Sequence, residues 1–282
     1  IGTRITSTIG YSLLYSTLNN SLRPTAGHRV LLSQDFAGLG GDVKYVRSRV
    51  SAIKYWSPGI LGGDWVFSAR AEGGYIHPLE DSPSAGSDPI RITDRFFGQQ
   101  MRGFDIRGIG PRIIRENYDA SGNIIVDDEV VSDALGGRAY YMGRLELEFP
   151  TSSTLRSFGL RPSAFIDVGS VWKLKKPLTD DILKFCTATG QPTQPIPGGS
   201  TNASCTQFNS GTVTGYADTP TQSFPGFRER FVGDSIKPRL SVGIGVNWVS
   251  PFGPLRIDLA KALLKEEGDE TKLFSFNVGT QF

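Results

Sequence analysis

The sequence lacks the long apolar runs of helical membrane proteins and the excess of positive charge typical of nucleic-acid-binding proteins. Among its 282 residues are only two methionines, and hydrophobic residues make up 38% of the chain. No stretch approaches the run of about 18 apolar residues that a transmembrane helix needs, which disfavours a helical membrane protein. The net charge is only +2, so the composition gives no electrostatic indication of a nucleic-acid partner.

The shortage of histidine and cysteine also removes the usual centres of catalysis and metal binding. His28 and His77 fall near the ends of predicted strands or loops, with no Ser or Asp in a catalytic pattern around them. His and Cys residues do not cluster at a metal-binding spacing. Glu146 and Glu148 are paired carboxylates, but nearby arginines favour ion pairs over acid–base chemistry. We therefore expect no enzymatic activity, no metal and no cofactor.

The two cysteines, Cys186 and Cys205, lie 19 positions apart in one polar stretch. This arrangement fits a disulfide formed in an oxidising compartment. The alternative is a pair of free thiols in a mobile loop, and the spacing alone does not decide between the two.

What the sequence does contain is alternation of apolar and polar residues. In segment 239–248, Leu240, Val242 and Ile244 face one way, while Arg239 and Ser241 face the other. Period-two alternation of this kind predicts β-strands. Nine segments follow it, two of them less cleanly: about 4–16, 28–37, 43–57, 64–76, 140–149, 163–172, 239–248, 255–260 and 274–282.

Two features favour a membrane barrel over a soluble sandwich, whose strands alternate as well. The polar faces carry charged side chains in the middle of strands, which a water-filled barrel interior allows: Arg144, Glu146, Glu148, Asp167, Arg256 and Asp258. The connections are short on one side and include two long ones, about 77–137 and 174–235, on the other, as in outer-membrane barrels. The predicted fold is all-β, a transmembrane antiparallel β-barrel whose two long connections are extracellular loops, since β-structure crosses a bilayer only as a closed barrel.

The strand count indicates that part of the barrel lies outside this sequence. Nine is an odd number, whereas single-chain bacterial barrels have even numbers of strands. The first residues, IGTRITSTIG, are already strand-like and contain no signal peptide. We therefore expect residues 1–282 to be the C-terminal portion of a larger transmembrane β-barrel.

A run rich in arginine and glycine, FFGQQMRGFDIRGIGPR, occupies residues 96–112 of the first long connection. Its Arg102, Gly103 and Phe104 resemble the (V/I)RGF motif of the outer-membrane insertase superfamily. The resemblance runs the length of the chain, through STLNNSLRPTAGHR, ALGGRAYYMGRLELEFP, FIDVGSVW, GIGVNWVSPFGPLRIDLAKAL and FSFNVGTQF. It implies that the nine strands are the last nine of sixteen, and that the first seven strands and the periplasmic POTRA repeats are absent.

The resemblance also implies roles for particular residues. Arg102 would reach into the lumen and form a salt bridge with Glu148 and Asp167, both of which lie on the polar faces of their strands. The alternative is that Arg102 is a solvated loop residue. The last strand would form a lateral gate and carry the signal that the assembly machinery reads, with these residues: Phe274, Phe276, Gly279 and Phe282.

The implied function is the assembly and insertion of β-barrel proteins into the bacterial outer membrane. The implied partners are unfolded outer-membrane protein clients, accessory lipoproteins, and outer-membrane lipids including lipopolysaccharide, with no nucleic acid. The alternative within the superfamily is a TamA-like factor or a two-partner-secretion pore that translocates a polypeptide. A general diffusion porin would lack the RGF motif.

Overall fold

The structure, a computed structural model, is all-β and divides into two compact units. It describes residues 5–21, 23–58, 65–97, 100–119, 121–125, 131–188, 194–198, 221–250 and 253–278. Unit 1 comprises Ile1–Pro111, Ala134–Lys175 and Gly233–Phe282, and unit 2 comprises Arg112–Asp133 and Lys176–Val232. Besides strands there are a 3-10 turn, Ile92–Asp94, and a five-residue helix α1, Ser153–Ser157. Within the described ranges, no helix is long and apolar enough to span a membrane, a test that does not concern strands.

In its described residues, unit 1 is built on one antiparallel sheet of nine strands. Its strands are β1 (Thr8–Ser16), β2 (Gly27–Ala37), β3 (Tyr45–Trp56), β4 (Val66–Pro78), β7 (Ala139–Glu148), β8 (Leu160–Trp172), β12 (Arg239–Ser250), β13 (Gly253–Leu264) and β14 (Phe274–Val278). They pair in chain order, so each strand lies beside the next strand of this set. All nine segments that the alternation predicted are strands of this sheet, and the all-β antiparallel prediction is confirmed.

The two faces of this sheet have the reverse of the exposure found in water-soluble proteins. On β8, the Ile166 side chain is 45% exposed whereas Asp167 is fully buried. On β12, Ile244 is exposed and Ser241 is buried. Soluble proteins bury such apolar side chains and expose the charged ones. An exposed apolar face and an enclosed polar face are what a transmembrane barrel requires, because its outer surface lies in lipid.

Unit 2 is a separate five-stranded sheet formed by segments that the sequence predicted as loops. Its strands are β5 (Arg112–Asn117), β6 (Val131–Ala134), β9 (Asp181–Ala188), β10 (Gln194–Pro197) and β11 (Thr221–Val232), in the order β10-β9-β11-β5-β6. The predicted long loops at about 77–137 and 174–235 therefore contain strands, and their extracellular location stays a prediction. Their pairing is hard to foresee, because β11 of the second connection pairs with β5 of the first, and prolines interrupt β10 and β11.

The cysteine prediction is only partly covered by the described residues. Cys186 lies in β9 and is disulfide-bonded. Cys205 lies outside the described residues, so its pairing with Cys186 stays a prediction.

One cross-strand cluster of charged side chains joins β5 and β11 of the unit 2 sheet. Glu116 of β5 lies opposite Arg228 of β11 and accepts hydrogen bonds from its Nε, at 3.1 Å, and from the Nε of Arg230, at 3.1 Å. Burial raises the pKa of Glu116, but the hydrogen bond from Arg228 and the charge of Arg230 outweigh it and hold the pKa below its ordinary value of 4.5. A carboxyl group with a lowered pKa stabilises the folded state above its unfolded pKa, and this contribution is lost as the pH falls through the folded pKa.

We expect the amides of β5 and β11 to lose protection from hydrogen exchange, corrected for intrinsic rates, as the pH falls from 7 to below about 4. In the variant Glu116→Gln this loss should be smaller, because Gln does not titrate. The same pH dependence in both proteins would show that Glu116 does not hold the two strands together.

Candidate functional site

We call residues 100–111 the RGF segment. It lies on the polar face of the unit 1 sheet, where Arg102 is 4% exposed. The Arg102 guanidinium binds both carboxylate oxygens of Asp167 on β8: Nε donates to Oδ2 at 2.8 Å and Nη2 to Oδ1 at 2.5 Å. The backbone N–H of Arg102 also donates to Asp167, at 3.3 Å. Two parallel, charge-assisted hydrogen bonds fix both the position and the plane of the guanidinium. The structure therefore brings Arg102 and Asp167 together and does not leave Arg102 in solvent.

The second acidic partner is Glu146, and the expectation that it would be Glu148 is corrected. Arg102 Nη1 donates to Glu146 Oε2 at 2.9 Å, whereas Glu148 is 3.5 Å from Arg161. Both glutamates lie on the polar face of β7. In the strand register, Glu146 lies opposite Phe165 of β8, two residues from Asp167, whereas Glu148 lies opposite Ser163, four residues from Asp167. A step of two residues is about 6.6 Å, which puts Glu148 out of reach of Arg102.

Two further arginines complete a cluster with three positive and three negative charges: Arg102, Arg144, Arg256, Glu146, Asp167 and Asp258. We call it the polar-face cluster. Arg144 of β7 donates from Nε to Asp167 Oδ1 at 3.2 Å. Arg256 of β13 lies 2.9 Å from Glu146 and 2.9 Å from Asp258. Each carboxylate thus contacts at least one guanidinium, as charges enclosed within a protein require.

An aromatic ring supports Arg102 from one side. The Arg102 Cζ atom lies 3.4 Å from the centre of the Phe165 ring, which is a cation–π contact. Phe165 occupies the polar face of β8, and Gly243 of β12 is its cross-strand partner. A Cβ atom at Gly243 would lie 2.6 Å from the Phe165 ring, so the glycine leaves the space that the ring fills.

Gly103 allows the segment to lie flat on β12 and β13. Its φ angle is +87°, in the left-handed region that favours glycine. A Cβ atom at this position would lie 3.0 Å from the Cβ of Ser241. The Ser241 hydroxyl in turn donates to the carbonyl oxygen of Arg102 at 2.5 Å, so the backbone and the side chain of Arg102 are both held.

Phe104 packs into a hydrophobic cluster on the same face. Its side chain is 1% exposed and shares the cluster with Met101, Ile109, Met142 and Val171. Apolar burial of this kind adds stabilisation to the ion pairs. The three residues of the motif therefore make different contributions. Arg102 forms the ion pairs, Gly103 adopts a positive φ angle, and Phe104 packs into the hydrophobic cluster.

The RGF segment also pairs with the connection between β13 and β14. The N–H of Asp105 donates to the carbonyl of Glu270 at 3.0 Å, and the N–H of Glu270 donates to the carbonyl of Gly108 at 2.8 Å. The N–H of Lys272 donates to the carbonyl of Gly103 at 3.1 Å. The segment is therefore joined both to the polar face of the sheet and to the turn that leads into the last described strand.

The residues predicted for a lateral gate are only partly described. Phe274 and Phe276 lie on β14 with side chains 50% and 52% exposed, on the apolar face of the sheet. Gly279 and Phe282 lie outside the described residues, and the role of all four stays a prediction.

The arrangement can hold and orient a loop through ion pairs and backbone hydrogen bonds. Each carboxylate of the polar-face cluster faces an arginine, so none is placed as a free acid or base. No group of three or more His, Cys, Asp or Glu side chains in the described part of the chain could hold a metal ion.

Comparison with known proteins identifies the family. The Omp85 superfamily domain matches residues 2–282. The chain belongs to the Omp85 superfamily. The resemblance indicated by the RGF motif and the strand segments is thereby confirmed.

Two curated relatives are similar to this chain over nearly its whole length, and a third over about half of it. The outer membrane protein assembly factor BamA of Neorickettsia risticii is 30% identical over 281 residues, which is 100% of this chain and 28% of that protein. BamA of Neisseria meningitidis serogroup B is 25% identical over 272 residues, 94% of this chain and 27% of that protein. The sorting and assembly machinery component 50 homolog of Bos taurus is 30% identical over 153 residues, 53% of this chain and 27% of that protein.

A solved structure shares the fold. The crystal structure of BamA from Haemophilus ducreyi lacking POTRA domains 1–3 matches with a TM-score of 0.56 at 21% identity, over 95% of this chain and 41% of that chain. The present chain spans about a quarter of the length of the curated relatives it matches, 27–28%. It therefore corresponds to one part of those proteins.

The correction from Glu148 to Glu146 can be tested with two isosteric variants of the full-length protein. Glu146→Gln should lower the free energy of unfolding by about 3 kcal/mol, because the enclosed cluster then holds three positive and two negative charges and one positive charge is uncompensated. Glu148→Gln should lower it by less than about 1 kcal/mol, because its ion pair with Arg161 is long and partly exposed. Urea unfolding of the barrel in bilayers gives both values, and equal losses would contradict the assignment.

Proposed function

We propose that the protein assembles β-barrel proteins and inserts them into the bacterial outer membrane, without enzymatic chemistry. Relatives similar over nearly the whole chain are named outer membrane protein assembly factors, which supports this function and an outer-membrane location. The observation that carries the proposal is the placement of the RGF segment. It is anchored by Arg102 on the polar face and hydrogen-bonded to the turn that precedes β14.

The proposed mechanism begins at β14. This strand pairs with β13 through five residues, and β13 is its one neighbour among the described strands. A strand with an unpaired side offers backbone N–H and C=O groups to an incoming strand. We propose that a client strand adds at this side, and that backbone hydrogen bonds guide it into the membrane. Phe274 and Phe276 on the apolar face would contact the lipid beside it.

The RGF segment would keep this edge in position. Its ion pairs with Asp167 and Glu146 fix it to β7 and β8, while its backbone contacts the connection before β14. A shift of the segment would therefore move the start of the last strand. In this proposal Arg102 acts through the loop and the turn, and it does not touch the client.

The proposed partners are unfolded outer-membrane protein clients, the accessory lipoproteins of the assembly complex, and outer-membrane lipids including lipopolysaccharide. The alternative function, polypeptide translocation by a TamA-like factor or a two-partner-secretion pore, predicts a different behaviour in bilayers. A polypeptide pore would move its substrate across the bilayer, whereas an insertase would accelerate the folding of a client into the bilayer. Steady conductance would instead indicate a general diffusion porin.

The experiment uses the full-length protein in liposomes, supplied with an unfolded barrel client. We expect faster appearance of the folded, heat-modifiable client, with low conductance. Arg102→Gln should slow this step by roughly tenfold or more, which corresponds to about 1.4 kcal/mol of lost stabilisation. Arg107→Gln is the matched control, because Arg107 is an exposed arginine of the same segment. Steady conductance without acceleration of client folding would contradict the proposal.

A further inference from the structure

A second buried arginine holds the connection between β13 and β14. Arg239 is the first residue of β12, and its side chain and that of Asp269 are both fully buried. Arg239 Nε donates to Asp269 Oδ2 at 3.0 Å, and Nη2 donates to Oδ1 at 3.3 Å. This bidentate pair lies outside the polar-face cluster and shares none of its residues.

The remaining N–H groups of Arg239 join two more segments. Nη1 donates to the Ser170 hydroxyl at the end of β8 and to the carbonyl of Ser235, each at 2.8 Å. Nη2 donates to the carbonyl of Gly233 at 2.9 Å. Asp269 in turn accepts the N–H of Glu266 at 2.7 Å, which fixes the turn. One guanidinium thus ties together β8, the segment before β12, and the β13–β14 connection.

The same connection is also held from its other side by the RGF segment. Glu270 and Lys272, which follow Asp269, make the three backbone hydrogen bonds to that segment. The connection that precedes Phe274, the first residue of β14, is therefore held both by Arg239 and by the RGF segment. At the other described end of β14, Val278 lies opposite Leu255 of β13. Within the described residues, no side-chain hydrogen bond to residues 274–278 is found.

We propose that Arg239 and Asp269 form a latch that positions the connection of the β13–β14 hairpin, so that β14 is fixed at its Phe274 end. Arg239 is a positioning residue, since it contacts neither a client nor the exposed side of β14. The latch deepens the insertion function proposed above and rests on it: a client strand can pair in register only if the start of β14 is held still.

The chemistry of the pair explains why the residue is arginine. A guanidinium presents its donors in a planar fork that binds a carboxylate with two hydrogen bonds and still reaches other acceptors. A lysine ammonium is a point charge and cannot make this set of contacts. The variants Arg239→Lys and Asp269→Asn therefore keep the size of the side chain approximately and break the latch.

The chain provides a matched control in an exposed ion pair. Lys237 lies 3.5 Å from Glu266 and joins the same two connections, with side chains 72% and 27% exposed. Exposed pairs of this kind contribute little. Lys237→Gln should therefore leave the hairpin unchanged.

The test is hydrogen exchange of the full-length protein in bilayers, read segment by segment. Arg239→Lys and Asp269→Asn should each raise the exchange rates of amides 270–276 by roughly tenfold or more, because the local opening free energy falls. Exchange in β2 and β3 should not change. Client insertion by the same variants should slow, while Lys237→Gln behaves as the unmodified protein in both measurements.

Unchanged exchange in residues 270–276 would overturn the latch. An equal rise in every strand would also overturn it, because Arg239 would then act on overall stability and not on the position of the hairpin. The exchange pattern is measured without a client, so it tests the latch independently. If the unmodified protein fails to insert any client while the pattern holds, the proposed function is wrong and the latch stands.

Discussion

The pairing of one guanidinium with two carboxylates is the interaction on which the arrangement of this chain depends. Arg102 enters the polar face of the sheet from a long connection and binds Asp167 and Glu146. An enclosed arginine without these partners would be strongly unfavourable, so the ion pairs favour this position of the loop. The Phe165 ring packs against the Arg102 guanidinium, and the Ser241 hydroxyl donates a hydrogen bond to the Arg102 backbone carbonyl. With Arg102 in place, the segment behind it can reach the turn before β14.

The lipid environment decides which face of the sheet can carry such a cluster. A bilayer tolerates strands only when their backbone groups are paired and their outer side chains are apolar. Charges are therefore confined to the opposite face, where they pair with one another. The buried pair Arg239–Asp269 follows the same rule at the end of the sheet near the β13–β14 connection. Ion pairs thus contact both the RGF segment and the β13–β14 connection, and β13 is the one neighbour of β14 among the described strands.

The sequence predicts the sheet well, because period-two alternation is a local property of each strand. It also places Asp167 on the correct face. It cannot choose between Glu146 and Glu148, which share a face, because the choice depends on how far the loop descends along β7. The ring of Phe165 was missed as part of the site, although an aromatic residue on a polar face opposite a glycine, Gly243, is a usable signal. The strands of unit 2 escaped prediction because they pair across two distant connections.

The most direct test of the central claim is a double-mutant cycle between Arg102→Gln and Asp167→Asn in the full-length protein. The measured quantity is the free energy of unfolding in bilayers. If Arg102 and Asp167 form the contact that anchors the loop, the double variant loses much less than the sum of the single variants. The difference should be about 2 kcal/mol, as for residues in one ion-pair network. Losses that add to within about 0.5 kcal/mol would show that the two residues act separately and would contradict the account.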